Sequence, residues 1–363
     1  MTGWWLRLCC GLVLALSAQA QAAQLPAPPL PSAPIVLQVA ADGSAPFRSI
    51  QSAIDSLPQD NGMPEQRWAL IRIAPGLYRE KLYLQRDKVV LAGHSLTDTV
   101  IQYPELRQHF LARQGETALP TGQGLSRDWG AAVVNIASSD IALLDLTVHN
   151  SYALDHPQDP LRFEHQFALR GFEQASRILT DRVMLSSAGA DTVSLWNKQN
   201  GMYYHSRSYF SGRVDLFCPR GTAYVTNSDF VNYNNQATLW HDGELAETQK
   251  LVVTHSRFHG VSGYQLGRRH YDGQFVLLHN KFSSALANQP LFRRTYPAQP
   301  ERDQPNRYGD RNYFYHNQGP AYDWLQDNLT AQQAETYTTA QVFNGLWQPE
   351  QQLQLFRSWL KDK

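Results

Sequence analysis

The chain has 363 residues, and its 32 Lys and Arg are matched by 32 Asp and Glu. That balance excludes a basic nucleic-acid-binding surface, and no run of like charge marks an interaction tail. With 42 % hydrophobic and 18 % charged residues, the chain has enough apolar material for a long core in one large domain or two small ones.

Residues 1–22 read as an export signal. Arg7 supplies the positive charge, residues 8–16 (LCCGLVLAL) a short apolar core, and Ala18-Gln19-Ala20 and Ala20-Gln21-Ala22 the small-residue pattern that follows. The apolar run is shorter than the roughly 20 residues that span a membrane. Cys9 and Cys10 stand at its front, whereas a lipoprotein signal carries its cysteine after the apolar core. Removal of this segment leaves Cys218 as the one remaining cysteine, so no intrachain disulfide can form. The expected location is secreted or periplasmic. Residues 23–34 are Pro-rich and read as a linker. One domain is expected over residues 35–363.

A short amphipathic helix is predicted over residues 46–57, with Pro46 in its first turn and Phe47, Ile50, Ala53, Ile54 and Leu57 on one face. Downstream the pattern turns to short strands broken by polar residues. An eight-residue unit recurs at 223–230 (AYVTNSDF), 251–258 (LVVTHSRF) and 275–282 (FVLLHNKF). Weaker copies stand at 141–148, 176–183 and 202–209. Each runs apolar strand, polar turn, large apolar residue. Repeats at this spacing point to stacked coils that bury their apolar faces only against one another. An antiparallel sandwich would place hairpin turns between paired alternating runs. Asn200-Gly201, Asp242-Gly243 and Asp272-Gly273 do not lie so. The expected fold class is all-β, a right-handed parallel β-helix with short capping helices at both ends. At the far end, residues 321–329 and 330–339 look helical, with Phe343, Leu346 and Trp347 as packing residues. Residues 102–130 and 291–312 read as long loops that shape a cleft.

Three polar positions recur at almost one coil spacing. Gln166, Asp191 and Asp215 are separated by 25 and 24 residues, and Arg268 follows about two coils later. Equivalent residues on successive coils lie about 4.8 Å apart. One row on the outer face would then hold an amide, two carboxylates and a guanidinium. Two neighbouring carboxylates raise one pKa, and a guanidinium keeps its partner ionised. An ionised acid can be nucleophile or base, a protonated one can donate to a leaving group, and an amide can donate to an oxyanion. That set suits hydrolysis of an ester. Singly, each residue also fits a structural use: a ladder amide for Gln166, a turn cap for Asp191, an ion pair for Asp215 and Arg268.

Six segments together resemble the pectin methylesterases: 41–54 (ADGSAPFRSIQSAI), 76–80 (GLYRE), 166–170 (QFALR), 189–195 (GADTVSL), 214–221 (VDLFCPRG) and 265–269 (QLGRR). They follow the family's order, and the chain is similar to a divergent bacterial-type member. The resemblance implies that Asp215 attacks the methyl-ester carbonyl of a galacturonan. It implies further that Asp191 protonates the departing methanol and later deprotonates water, Gln166 stabilises the oxyanion, and Arg268 holds Asp215. It implies no metal or other cofactor, and a monomer that acts on pectin or a related acidic polysaccharide without spanning a membrane.

Three departures stand out. Ala190 occupies the place of the family's Gln before the first catalytic Asp. Gly267-Arg268-Arg269-His270 lacks the sugar-stacking Trp, leaving His270 or Tyr271 to stack. Cys218 and Arg220 follow Asp215, with Arg220 suited to a substrate carboxylate. Trp196, Trp240 and His241 fit either a sugar cleft or packing against the stack. Cys218 has no Cys-His motif beside it and reads as a small buried residue. No H-E-x-x-H or G-x-S-x-G occurs. Competing readings are a carbohydrate-binding β-helix weakened in catalysis, an esterase for another glycan, and a calcium-dependent polysaccharide lyase.

Overall fold

The computed structural model describes residues 33–59, 66–113, 126–244 and 246–361. The expected export signal and most of the linker lie outside the described residues. Ser49, in extended backbone, accepts from the Ser52 amide and caps a helix, Ile50–Asp55. The helix is shorter than expected because its N-cap falls at Ser49, after Pro46. Its buried Ile50, Ala53 and Ile54 join Val39, Ile71 and Leu82 in the core of the first coil.

From there the chain winds. One parallel ladder runs through Ile35–Val39, Ala69–Ile73, Val89–Ala92, Ser139–Asn150, Ser176–Ser187, Met202–Ser206, Thr222–Thr226, Leu251–Thr254, Gln274–Leu278 and Arg311–Tyr315. A second runs through Leu82–Leu84, Ala132–Ile136, Phe167–Gly171, Val193–Leu195, Phe217–Pro219, Ala237–Trp240, Gln265–Arg269 and Phe292–Arg293. Every strand pairs with the one a coil away, as a parallel β-helix requires.

The eight-residue unit is two strands joined at a bend. Arg207, Asn227, His255 and His279 make the bends in the left-handed region, with φ of 48°, 50°, 51° and 56°. The next residue's N–H turns inward and would be buried unpaired. A side chain from the following coil accepts it: Ser208 N donates to Ser228 Oγ (3.1 Å), Ser228 N to Ser256 Oγ (3.1 Å), and Ser256 N to Asn280 Oδ1 (3.0 Å). At the end of the unit, Phe210, Phe230, Phe258 and Phe282 stack in the interior, with successive centroids 5.0, 4.5 and 5.0 Å apart.

The three strong copies align residue for residue, Ala223 with Leu251 and Leu251 with Phe275. Two weaker copies are shifted from the expected frame. Ile178, not Ser176, pairs with Ile141, and Tyr203, not Met202, pairs with Ala223. The first slip, of two residues, keeps every side chain on its own face, so alternation cannot detect it; the second is a slip of one residue.

At the far end, Leu325 joins the main core with Phe314, and Tyr322 and Trp324 pack beside it. The chain then returns along the outer face of the longer ladder. Ala334 and Val342 join Val252, Val276 and Leu278, while Phe343, Trp347, Leu353 and Phe356 cover Leu70, Val90, Leu144 and Leu179. A 13-residue helix, Pro349–Lys361, ends this cover. Where both faces are covered, as at Val89–Ala92 and Leu251–Thr254, the strand is buried throughout rather than alternating. Among the described residues no helix is long and apolar enough to cross a membrane.

Candidate active site

The second ladder carries the polar row. A bridge between His165 and Ala190 sets Gln166 beside Asp191, with Gln166 N donating to the Ala190 carbonyl at 3.0 Å. A bulge follows: the amides of Ala168 and Leu169 both donate to the Thr192 carbonyl. Past it Leu169 pairs with Val193, and Val193 with Phe217. Carried back two residues, that last register sets Asp191 beside Asp215. The bulge is why the intervals are 25 and then 24 residues. Asp191 and Asp215 both take the left-handed conformation, at φ 57° and 54°, which Asp tolerates better than most residues.

Asp215 is 5 % exposed. Arg268 reaches it with both prongs, Nε to Oδ1 at 3.0 Å and Nη2 to Oδ2 at 2.7 Å. Burial nonetheless pushes the Asp215 carboxyl up to about 7; the Arg268 hydrogen bond and charge oppose the rise, and the Asp191 charge adds to it. The guanidinium therefore fixes the carboxylate's orientation without holding it in the ordinary acid range. Asp191 is more open. His165 Nε2 stands 4.0 Å from its Oδ2. It opens on a cleft of about 450 Å³ lined also by Arg107, Asp128, Phe167, Arg170 and Trp196.

Gln166 is fully buried. Its amide nitrogen donates to the Arg162 carbonyl, and its Oε1 has no partner. Arg220 is also buried, with its guanidinium 4.1 Å from the Trp196 ring. Burial pushes the Cys218 thiol up, and its Sγ accepts from Arg220 Nη1 at 2.7 Å. A thiol kept protonated is a poor nucleophile. Trp196 borders the cleft, whereas Trp240 is 6 % exposed and lies under Arg268, 5.0 Å from its guanidinium. His241 is a core residue, fully buried and hydrogen-bonded to the Gly221 carbonyl; burial lowers it to about 4.

His270 and Tyr271 are organised by Asp242, whose Oδ1 accepts both backbone amides at 2.7 and 3.0 Å while Oδ2 accepts Trp240 Nε1 at 2.8 Å. The His270 ring packs edge-on to Trp240 at 4.3 Å and shares a 2.8 Å hydrogen bond with the Tyr296 hydroxyl. Tyr296 belongs to the 291–312 segment, which Asp272 ties down through the amides of Arg307 and Tyr308. Of residues 102–130, the stretch 114–125 lies outside the described residues, and Arg107 and Asp128 on either side reach the cleft.

Sequence reasoning missed Arg170, Asp128 and Asp242. Arg170 is 3 % exposed and bonds Asp128 at 2.9 Å and Ser194 at 3.1 Å. An Arg inside an apolar strand was the visible signal for it. Asp128 and Asp242 stand in no motif.

No family model matches the chain. Pectinesterase 31 of Arabidopsis thaliana is 26 % identical over 268 residues, spanning 70 % of this chain and 75 % of that protein. Putative pectinesterase 10 of the same plant is 25 % identical over 174 residues, 47 % of this chain and 42 % of that protein. Both are plant proteins and lend no support to a bacterial type. A pectin methylesterase solved with a hexasaccharide superposes with a TM-score of 0.63 at 20 % identity, covering 86 % of this chain and 98 % of that one. The pectin methylesterase from carrot gives 0.63 at 17 % identity, covering 86 % and 94 %. The chain thus shares the fold of the pectin methylesterases and is similar in sequence to a plant pectinesterase over 70 % of its length.

Proposed function

We propose that this protein is a carboxylic ester hydrolase that removes methyl esters from pectin or a related acidic polysaccharide. What carries the reading is the two-pronged pairing of Arg268 with Asp215, one coil from Asp191 and its open cleft. An Asp215 oxygen attacks the ester carbonyl carbon. The tetrahedral intermediate collapses, methoxide takes the proton of Asp191, and methanol leaves an acyl anhydride on Asp215. Asp191, now ionised, takes a proton from water, whose oxygen attacks the acyl carbon and frees both carboxylates. Arg268 orients the nucleophile. Trp196, His270 and Tyr271 form the wall along which the sugar chain runs. In this reading the protein is exported, is a monomer, and needs no metal or cofactor.

The test is methanol release from methyl-esterified galacturonan. The wild type releases it and Asp215→Asn does not; normal release by the variant overturns the nucleophile assignment. A second reading, a carbohydrate-binding β-helix, is favoured by the Gln166 amide being engaged with Arg162. Sugar binding without methanol release, unchanged in Asp191→Ala, would establish it.

A further inference from the structure

Arg220 is a guanidinium whose donors the protein does not use up. Its side chain is 8 % exposed. Nη1 meets Cys218 Sγ at 2.7 Å, a weak acceptor, and the Cys218 carbonyl at 3.5 Å. Nη2 comes no nearer to a carboxylate than 3.7 Å, from Asp242. That carboxylate already accepts from Trp240, His270 and Tyr271. The guanidinium sits 4.1 Å from the Trp196 ring, which borders the Asp191 cleft. It sits 5.5 Å from the Trp240 ring, which carries Arg268 and through it Asp215. Its charge acts on both carboxylates. Its free donor is not shut away from solvent, so an arriving anion can complete it. The amide that spacing nominated for that work, Gln166, is engaged with the Arg162 carbonyl instead.

We propose that Arg220, through Nη2, donates to the oxyanion that forms when Asp215 attacks the ester; this rests on the esterase reading. As the Asp215 oxygen bonds to the carbonyl carbon, the π pair moves onto the carbonyl oxygen, and Arg220 meets the charge there. Collapse returns the pair and expels methoxide, which takes the Asp191 proton. A donor aimed at developing charge stabilises the transition state more than the ground state, so its loss appears in kcat. A cation that held a substrate carboxylate would instead appear in KM.

The experiment is steady-state methanol release by wild type, Arg220→Gln and Arg220→Lys, with circular dichroism as a check on folding. In Arg220→Gln, kcat falls about 10²–10³-fold while KM stays within about threefold. Arg220→Lys keeps the charge but not the fork and loses at least about tenfold in kcat; it decides the matter if the Gln variant does not fold. Unchanged kcat, or a loss confined to KM, overturns the proposal. An inactive wild type overturns the esterase reading and this one together; an active wild type with an equally active Arg220→Gln overturns this one alone.

Discussion

At Asp215 two effects pull one carboxyl in opposite directions. Burial favours the neutral acid, Arg268 favours the carboxylate, and burial prevails, lifting the group to about 7. In the proposed reaction the nucleophile is the ionised form of Asp215, so activity should fall as the pH drops through that value. Arg268→Met removes the largest downward pull, leaving that of the Arg220 charge. The acid limb of kcat/KM should then move to higher pH, and a pH–rate profile of both proteins checks it. A limb that stays in place would mean that Arg268 has no electrostatic hold on the nucleophile. The placing of Asp191 beside Asp215 and the pairing of Asp215 with Arg268 were legible because residue types and intervals survive in one dimension. The Gln166 amide was not: whether it faces the acids or the Arg162 carbonyl depends on a side-chain rotation that spacing does not encode. Nor was Arg170, whose partner Asp128 lies 42 residues away in the chain.

The unit from which the stack is built is a strand, a left-handed bend and a second strand. Its apolar–polar order showed in the sequence at 223–230, 251–258 and 275–282, and so did the fold class. The frame of the weaker copies did not, since the 176–183 copy slipped by two residues onto the same face. Phe230 stands in the middle of the ring stack, fully buried, 5.0 Å from Phe210 and 4.5 Å from Phe258. Phe230→Ala leaves a void between two coils that a hydrogen-bonded ladder cannot close. It should cost about 3–5 kcal/mol, read from urea unfolding. A cost under about 1 kcal/mol would show that the coils can collapse around the gap.

Across the whole molecule, the C-terminal segment joins coils distant in sequence. Its final helix was missed, although Leu353, Phe356 and Leu360 keep helical spacing, because no earlier element announces a second layer outside the ladder. Arg357 on that helix bonds Asp145 and Asp181, which Arg182 and Arg207 also hold. Burial raises Asp181, but the hydrogen bonds of Arg207 and Arg357 outweigh it and hold the carboxyl below the usual carboxylate range. A carboxyl lowered in this way contributes stability above its unfolded value, and that contribution is lost as the pH falls through the folded one. Arg357→Met should therefore destabilise the protein at pH 7, by up to about 3 kcal/mol, and by less near pH 3. Equal losses at both pH values in denaturant melts would assign the effect to packing alone.

Asp215 and its guanidinium partner Arg268 lie 53 residues apart in the chain, with the strand that carries Trp240 wound between them. A ribosome therefore delivers both acids well before the countercharge. A half-emerged chain already owns Asp191 and Asp215, yet the two-pronged bond to the Asp215 carboxylate waits until residues 265–269 are laid down. If the proposed chemistry holds, reactivity would wait on the turn bearing Arg268 settling onto those before it.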